Sequence, residues 1–185
     1  LRVHVLRTDR PESQALAMPN AELAAISRTG EMAVILNKRF FDWTTGGTLA
    51  VVPVLGGTPR EILNGVMLAD WLPDGRMAVW RLNEKGEQQL EFPVGNPIYS
   101  SPNIAFALRV SPKGDLVALN IRTDGLKSDV VVFGLDGSKR TVASAVVFAR
   151  GMAWSPDGKE VWYTTPPDAQ QVPSRHDAPA LHQQR

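Results

Sequence analysis

The chain has 185 residues, which is enough for about one domain with a sizeable core. Apolar residues make up 43% of it and charged residues 21%, the composition of a folded globular protein rather than a disordered one. Twenty basic against nineteen acidic side chains leave a net charge of +1, without the concentrated positive charge that binds nucleic acid. We therefore expect no nucleic-acid partner.

Membrane segments and thiol chemistry are also excluded by the sequence. Its apolar runs, such as 49–55, are far shorter than the roughly 18 to 20 residues of a membrane helix. No charged segment followed by an apolar one opens it, so we expect no secretory signal. The absence of cysteine excludes disulfides and thiolate sites, and fifteen glycines with fourteen prolines predict many turns.

Turn sequences recur along the chain at a spacing of about 42 residues. Four segments align without gaps, and their glycines are 45, 39 and 44 residues apart: 26–30, 71–75, 110–114 and 154–158. All four have an apolar residue and then Gly at the fourth turn position, three have Ser at the first and three have Pro at the second, which is the pattern of a type I turn. Because strand-like sequences flank every turn, each segment predicts a β-hairpin.

In chain order, the predicted strands begin with 3–6 and 14–18, which read as the outer two strands of a preceding unit. Three full repeats follow at about 21–63, 66–100 and 105–143, each with a hairpin and a second pair of strands. Residues 146–165 supply only the inner two strands of another repeat. The strand after each turn is apolar on both faces, so it should be central and buried. The polar stretch 166–185 should be a disordered tail.

Four antiparallel strands in about 42 residues are the unit of a β-propeller blade. We therefore predict an all-β fold over 1–165: a β-propeller fragment of about four four-stranded antiparallel blades, three complete and one split between the termini. No segment predicts a convincing helix, because the helix formers of 21–26 precede an aligned turn. Four tryptophans beside the turns are expected to pack in the core: Trp71, Trp80, Trp154 and Trp162.

The repeat resembles the TolB-type WD-like propeller repeat, whose hallmark is an apolar residue followed by Ser-Pro-Asp-Gly-Lys. Residues 154–159 match it fully, 71–75 and 110–114 depart at one or two positions, and 26–30 keeps only Ser and Gly. The resemblance covers about 1–165. The Gly-Thr-Pro-Arg-Glu run at 57–61, followed by 69–71, is most similar to the propeller region C-terminal to bacterial serine/threonine protein kinase domains.

This resemblance implies a noncatalytic interaction or sensor module, part of a larger bacterial signalling protein such as a serine/threonine kinase. The same repeat occurs in TolB and in the propellers of prolyl-oligopeptidase-type enzymes. A peptidase accessory propeller and a TolB-like periplasmic binding protein therefore remain alternatives, as does a lectin-like propeller with aromatics at its loop ends. TolB-type rings have more than four blades, so the resemblance favours an open segment of a six-bladed ring over a closed four-bladed one.

Catalytic signatures are lacking in the sequence. It contains no Gly-x-Ser-x-Gly elbow, no Gly-rich phosphate loop and no His-Arg-Asp or Asp-Phe-Gly motif. Three histidines are too scattered for a triad or a tetrahedral metal site: His4, His176 and His182. Asp74, Asp136 and Asp157 each stand beside a turn glycine, where turn stabilisation explains them better than calcium binding. We expect no catalytic residue, metal or cofactor in this chain.

Two candidate binding sites remain. Directly before the aligned apolar position, two adjacent inner strands carry Asp70 and Arg109, where the other two carry alanine. Charges between propeller blades must be paired, solvated or liganded. This pair therefore forms a structural salt bridge or is solvated by channel water, or else it holds a polar ligand or peptide terminus in the central channel. Phe41 and Trp43 lie outside the repeat pattern and could form an exposed contact surface.

The expected partner is a protein or peptide, because repeat scaffolds present wide loop surfaces while most of their sequence serves the core and the turns. Strands at the ends of an open propeller segment have unpaired edges and uncovered apolar faces. Such edges favour association, so self-association through the open blades is a second expectation.

Overall fold

The computed structural model describes residues 1–9, 12–38, 46–147 and 149–166. Over these ranges the chain forms fifteen β-strands and no helix. The strands are β1 (Arg2–Leu6), β2 (Ser13–Pro19), β3 (Ala21–Ile26), β4 (Glu31–Leu36), β5 (Gly47–Pro53), β6 (Arg60–Trp71), β7 (Met77–Leu82), β8 (Gln88–Glu91), β9 (Pro97–Ser101), β10 (Ala105–Val110), β11 (Leu116–Asp124), β12 (Lys127–Gly134), β13 (Lys139–Val147), β14 (Arg150–Trp154) and β15 (Val161–Thr164).

Every strand pairs antiparallel with its neighbour in sequence within three complete blades and two terminal hairpins. The first blade is β3–β5 with the beginning of β6, the second blade is the end of β6 with β7–β9, and the third blade is β10–β13. The first hairpin is β1–β2 and the last hairpin is β14–β15. The predicted all-β propeller fragment is therefore confirmed.

The two terminal hairpins do not hydrogen-bond to each other: β1 pairs with β2 alone and β15 with β14 alone among the described strands. Together they have the four strands of one blade, but they remain separate two-stranded sheets. The segment is thus open over the described ranges, in the arrangement that the sequence favoured over a closed ring.

Two successive blades share the long strand β6. Residues 60–63 pair with β5 as the outer strand of the first blade, and residues 66–71 pair with β7 as the inner strand of the second. Between them Gly65 has a φ of +74°, a conformation open to glycine at little cost. A Cβ there would also lie 3.0 Å from the Leu82 carbonyl oxygen, so the bend requires this glycine.

The four inner strands β3, β6, β10 and β14 lie side by side in that order. Antiparallel pairing puts the four hairpin turns at one end of these strands, here called the turn face. The starts of the inner strands and the β7–β8 and β11–β12 loops lie at the other end, the loop face. Buried clusters between successive blades form the core, the largest of them around Trp80, Phe92 and Phe133.

The turns on the turn face repeat one hydrogen bond. The glycine N–H donates to the carbonyl of the first turn residue in all four: Gly30 to Ser27, Gly75 to Leu72, Gly114 to Ser111 and Gly158 to Ser155. Acidic turn residues bond locally; the Ser155 hydroxyl donates to Asp157 (2.7 Å) and holds the pKa of that carboxyl below its ordinary value. The aligned motif is thus a β-turn in each repeat, as predicted from Ser, Pro and Gly.

Adjacent turns also contact each other through proline and glycine. A Cβ on Gly114 would lie 2.6 Å from Pro73 Cδ, and one on Gly158 would lie 3.6 Å from Pro112 Cδ. The first repeat has Arg28 at the proline position, so the Gly75 turn that follows has no proline against it. Accordingly, no atom lies within 4 Å of a Cβ built on Gly75. The turn proline of one blade therefore packs on the turn glycine of the next, where the repeat has that proline.

Candidate channel site

The inner strands line a groove of about 170 Å³ on the channel side of the blades. Leu23 of β3, Leu68 of β6, and Ala107 and Arg109 of β10 all contribute to its wall. Each of these three inner strands has an irregularity in its pairing register beside the groove, where the three blades approach each other closely. Glu22 lines the groove near its loop-face end.

Asp70, one of the two predicted site residues, uses its carboxylate to join two blades. The half-buried side chain accepts the Trp71 N–H at Oδ1 and the Val110 N–H of the neighbouring inner strand at Oδ2, each at 2.9 Å. Burial raises the pKa of Asp70 above its ordinary value, although both N–H groups and the charge of Arg109 oppose this shift. The carboxylate thus stabilises the interface between the second and third blades.

Arg109, the other predicted site residue, is exposed on the groove wall. One guanidinium nitrogen, Nη1, donates to the Leu108 carbonyl at 2.8 Å, and no ion pair within 4 Å joins Arg109 to Asp70. The salt bridge between this acid and base, one of the alternatives from the sequence, is therefore not formed. A guanidinium has five N–H donors, so Arg109 can offer several of them to a ligand.

The backbone of Arg109 fixes the last hairpin. Its carbonyl accepts the indole N–H of Trp154 at 2.8 Å, and Trp154 is half-buried against the third blade. The equivalent Trp71 has a buried Nε1 without a hydrogen-bond partner among the described residues. The two aligned tryptophans hence share a position between blades and differ in their polar contacts.

A buried lysine at the loop-face end of the groove was missed by sequence reasoning. Lys38 has 4% exposure, and its Nζ donates to the Glu22 carboxylate at 3.0 and 3.1 Å and to the Met67 carbonyl at 3.0 Å. The signal in the sequence was weak: a single lysine two residues beyond an apolar strand, outside the aligned turn. This ion pair compensates Glu22, which leaves the groove wall with the positive charge of Arg109.

A larger hollow of about 450 Å³ lies between the third blade and the last hairpin. Phe106 and Ala107 are shared between its wall and that of the groove. Leu126, Ala149 and Gly151 make the rest of the wall mostly apolar, and Arg150 and Ser128 also line it. None of the described residues that line it is acidic.

The proposed surface at Phe41 and Trp43 lies outside the described residues, as do the tail from 167 and two of the histidines. Within the described ranges, no group of three or more His, Asp or Glu side chains could hold a metal ion. The same part of the chain has no helix that is long and apolar enough to cross a membrane.

No family model matches the sequence. No curated protein matches it either. Among solved structures, the chain is similar to TolB from Acinetobacter baumannii, with a TM-score of 0.65 and 14% identity over 91% of this chain and 44% of TolB. It is also similar to the β-propeller domain of the Trilobed protease from Pyrococcus furiosus, with a TM-score of 0.51 and 16% identity over 74% of this chain and 46% of that one.

The fold and these likenesses define a class, the β-propellers. More particularly, the chain has a TolB-like β-propeller fold, which the sequence predicted from its repeat. It spans less than half the length of either matched structure.

Proposed function

We propose that this chain is a noncatalytic interaction module that binds a protein or peptide partner in its central channel. The observation that carries this proposal is the state of Arg109, an exposed guanidinium on the groove wall for which the described residues provide no acidic partner within 4 Å. An unpaired cation in a concave site attracts an anionic group of a partner, which it can bind through several N–H donors.

Two other cations of the described blades have acidic partners. Lys38 pairs with Glu22, and Arg81 Nη1 lies 2.9 Å from the buried Glu91 Oε1. Burial raises the pKa of Glu91, but hydrogen bonds from the Gly95 N–H, Arg81 and Gln89 outweigh it and leave that pKa lowered. Against these paired charges, Arg109 is the better candidate for a ligand contact.

A display selection on the immobilised full chain tests this function. Two random peptide libraries, one with free carboxyl ends and one with free amino ends, are selected on the wild type, Arg109→Gln and Arg140→Gln. Arg140 is an exposed arginine on β13, far along the blade from the inner strands, so it is the matched control. We expect enriched peptides to bind the control and to lose about tenfold in affinity on Arg109→Gln. Failure to enrich any peptide, or equal binding by the two variants, contradicts the proposal.

We further propose that the parent protein is a bacterial signalling protein such as a serine/threonine kinase, with this propeller at its sensor or docking end. The support is the likeness of 57–61 and 69–71 to such propeller regions. The similarity to a protease's propeller domain favours an accessory propeller of a peptidase as the second candidate. The coding sequence around this chain separates them: a kinase domain upstream supports the first, and a hydrolase domain supports the second.

Self-association is a separate proposal about partners. The strands β1 and β15 each have one edge without a described neighbour, and Leu6 is 61% and Trp162 65% exposed on them. Unpaired edges with apolar side chains favour pairing between copies. Sedimentation velocity of the chain should show a concentration-dependent dimer or larger species. A single monomeric boundary up to high micromolar concentration would contradict it.

A further inference from the structure

The row of residues that faces the channel differs between the two sides of the segment. Three residues before the aligned turn position, the inner strands carry Leu23, Leu68, Ala107 and Gly151, in chain order. The side chains thus shrink from leucine in the first and second blades to alanine and glycine in the third blade and last hairpin. The 450 Å³ hollow lies at these two small residues, which both line it.

The glycine of this row holds the hollow open. Gly151 has a φ of +62°, a conformation that disfavours a leucine at this position. The Ala107 side chain ends at its Cβ, so the row places no long side chain in the hollow beside Phe106. The hollow has room for an apolar side chain of a ligand, which its mostly apolar wall would bind by burial.

Arg109 lies next to the hollow on the same strand face. Ala107 and Arg109 are two residues apart in a regular stretch of β10, so they are about 7 Å apart along one face. Both line the groove, and Arg150 lines the hollow as a second exposed arginine. A group that puts an apolar side chain in the hollow would therefore present its neighbouring atoms to a guanidinium.

We infer that the site binds the carboxyl terminus of a peptide whose last residue is apolar. The last side chain occupies the hollow at Ala107 and Gly151, and the terminal carboxylate accepts hydrogen bonds from Arg109. A free terminus fits this geometry because its carboxylate and its side chain are attached to the same carbon, within the spacing of Ala107 and Arg109. This inference rests on the proposed channel-binding function and names the part of the partner that is bound.

Fluorescence anisotropy with labelled hexapeptides on the full chain tests the inference. The probes are a glycine-serine hexapeptide ending in phenylalanine with a free carboxylate, its C-terminal amide, and the free acid ending in glycine. We expect the phenylalanine acid to bind about tenfold more tightly than either of the other two.

Three variants locate the two contacts. Arg109→Gln should weaken binding of the phenylalanine acid about tenfold and leave the amide nearly unchanged, whereas Arg140→Gln should change neither. Ala107→Leu introduces the leucine of the first two blades, so it should weaken the acid and the amide alike by occupying the part of the hollow at residue 107. Thermal unfolding of each variant checks that it folds, and Ala107→Ser is the control that keeps the hollow.

The possible failures of this inference and of the proposed function are distinguishable. Equal affinity for acid and amide, or an unchanged affinity of Ala107→Leu, overturns the carboxyl-terminal inference. No saturable binding of the phenylalanine acid overturns it as well. If the display libraries still yield peptides that depend on Arg109, the channel function stands without it; if they yield none, both fail.

Discussion

The second blade and the last hairpin have nearly the same turn sequence and very different surroundings. In each of the three complete blades, the inner-strand residue directly before the aligned turn position pairs with an alanine of the next strand. These alanines, Ala33, Ala78 and Ala118, are completely buried. The last hairpin has Trp162 at that place, paired with Ala153, and it is 65% exposed. The expectation of a core role for Trp162 is therefore wrong, because no described strand covers that face of β15.

This difference teaches that the turn motif specifies the hairpin and not the burial of its side chains. Trp80 in the second blade has 0% exposure, since the third blade packs over it and Gln88 accepts its indole N–H at 2.5 Å. Trp162 donates its own indole N–H to Glu160 at the surface, at 2.9 Å. Burial comes from the outer strands and the next blade, which only complete blades have.

The largest expected effect separates these two tryptophans. Trp80→Ala should lower the free energy of unfolding by about 3 to 5 kcal/mol, because it opens a cavity in the largest core cluster. Trp162→Ala should change it by less than about 0.5 kcal/mol, as for exposed positions. Trp154 is half-buried, so the loss of unfolding free energy for Trp154→Ala should lie between these two values. Urea denaturation of the three variants is the measurement, and comparable losses for Trp80 and Trp162 would mean that β15 is covered in solution.

A smaller effect distinguishes the turn glycines of neighbouring repeats. Gly75 and Gly114 have φ values of +87° and +77°, so alanine at either costs about 1 to 2 kcal/mol for its left-handed backbone. Gly114→Ala also places a Cβ 2.6 Å from Pro73 Cδ, whereas Gly75→Ala meets no atom within 4 Å.

Thermal unfolding of both glycine variants should therefore show the larger loss of Tm for Gly114→Ala. The double variant with Pro73→Ala supplies the control, since it removes the clash and should bring Gly114→Ala close to Gly75→Ala. Equal losses for the two single variants would show that adjacent turns do not pack on each other.

The smallest effect concerns Asp70, whose position in the last hairpin is occupied by Ala153. Asn has one acceptor oxygen for the two N–H groups that Asp70 bonds, so Asp70→Asn should cost about 1 kcal/mol. The folded protein holds the Asp70 proton to higher pH than the unfolded chain because the folded-state pKa is raised. The contribution of Asp70 to stability is therefore greatest at low pH and falls as pH rises from about 3.9 through the raised pKa.

Chemical denaturation of wild type and Asp70→Asn across this pH range tests the sign. The stability difference between the two proteins should shrink as pH rises, while the lowered pKa values of Glu91 and Asp157 affect both proteins equally. A difference that grows with pH would show that the carboxylate is stabilised as an anion by its two N–H bonds and Arg109.

The sequence alone determined the hairpins and their order. Pro and Gly at fixed places in 71–75, 110–114 and 154–158, with Ser before the proline in the last two, set the backbone angles of a turn locally, and the apolar residues on both sides of each turn favour strands. For the same reason Asp70 and Arg109 could be assigned to one level of adjacent inner strands before the structure was known. Their equivalent places in the repeat follow from counting residues along the sequence.

Only the tertiary structure decided what those side chains do. Asp70 bonds the Val110 N–H of the neighbouring blade instead of Arg109, and Lys38 bonds both Glu22 of its own blade and the Met67 carbonyl of the next. Likewise the hollow at Ala107 and Gly151 exists because two blades meet there with small residues. Contacts between blades depend on how whole sheets pack, and local sequence propensities do not encode the separation between two sheets.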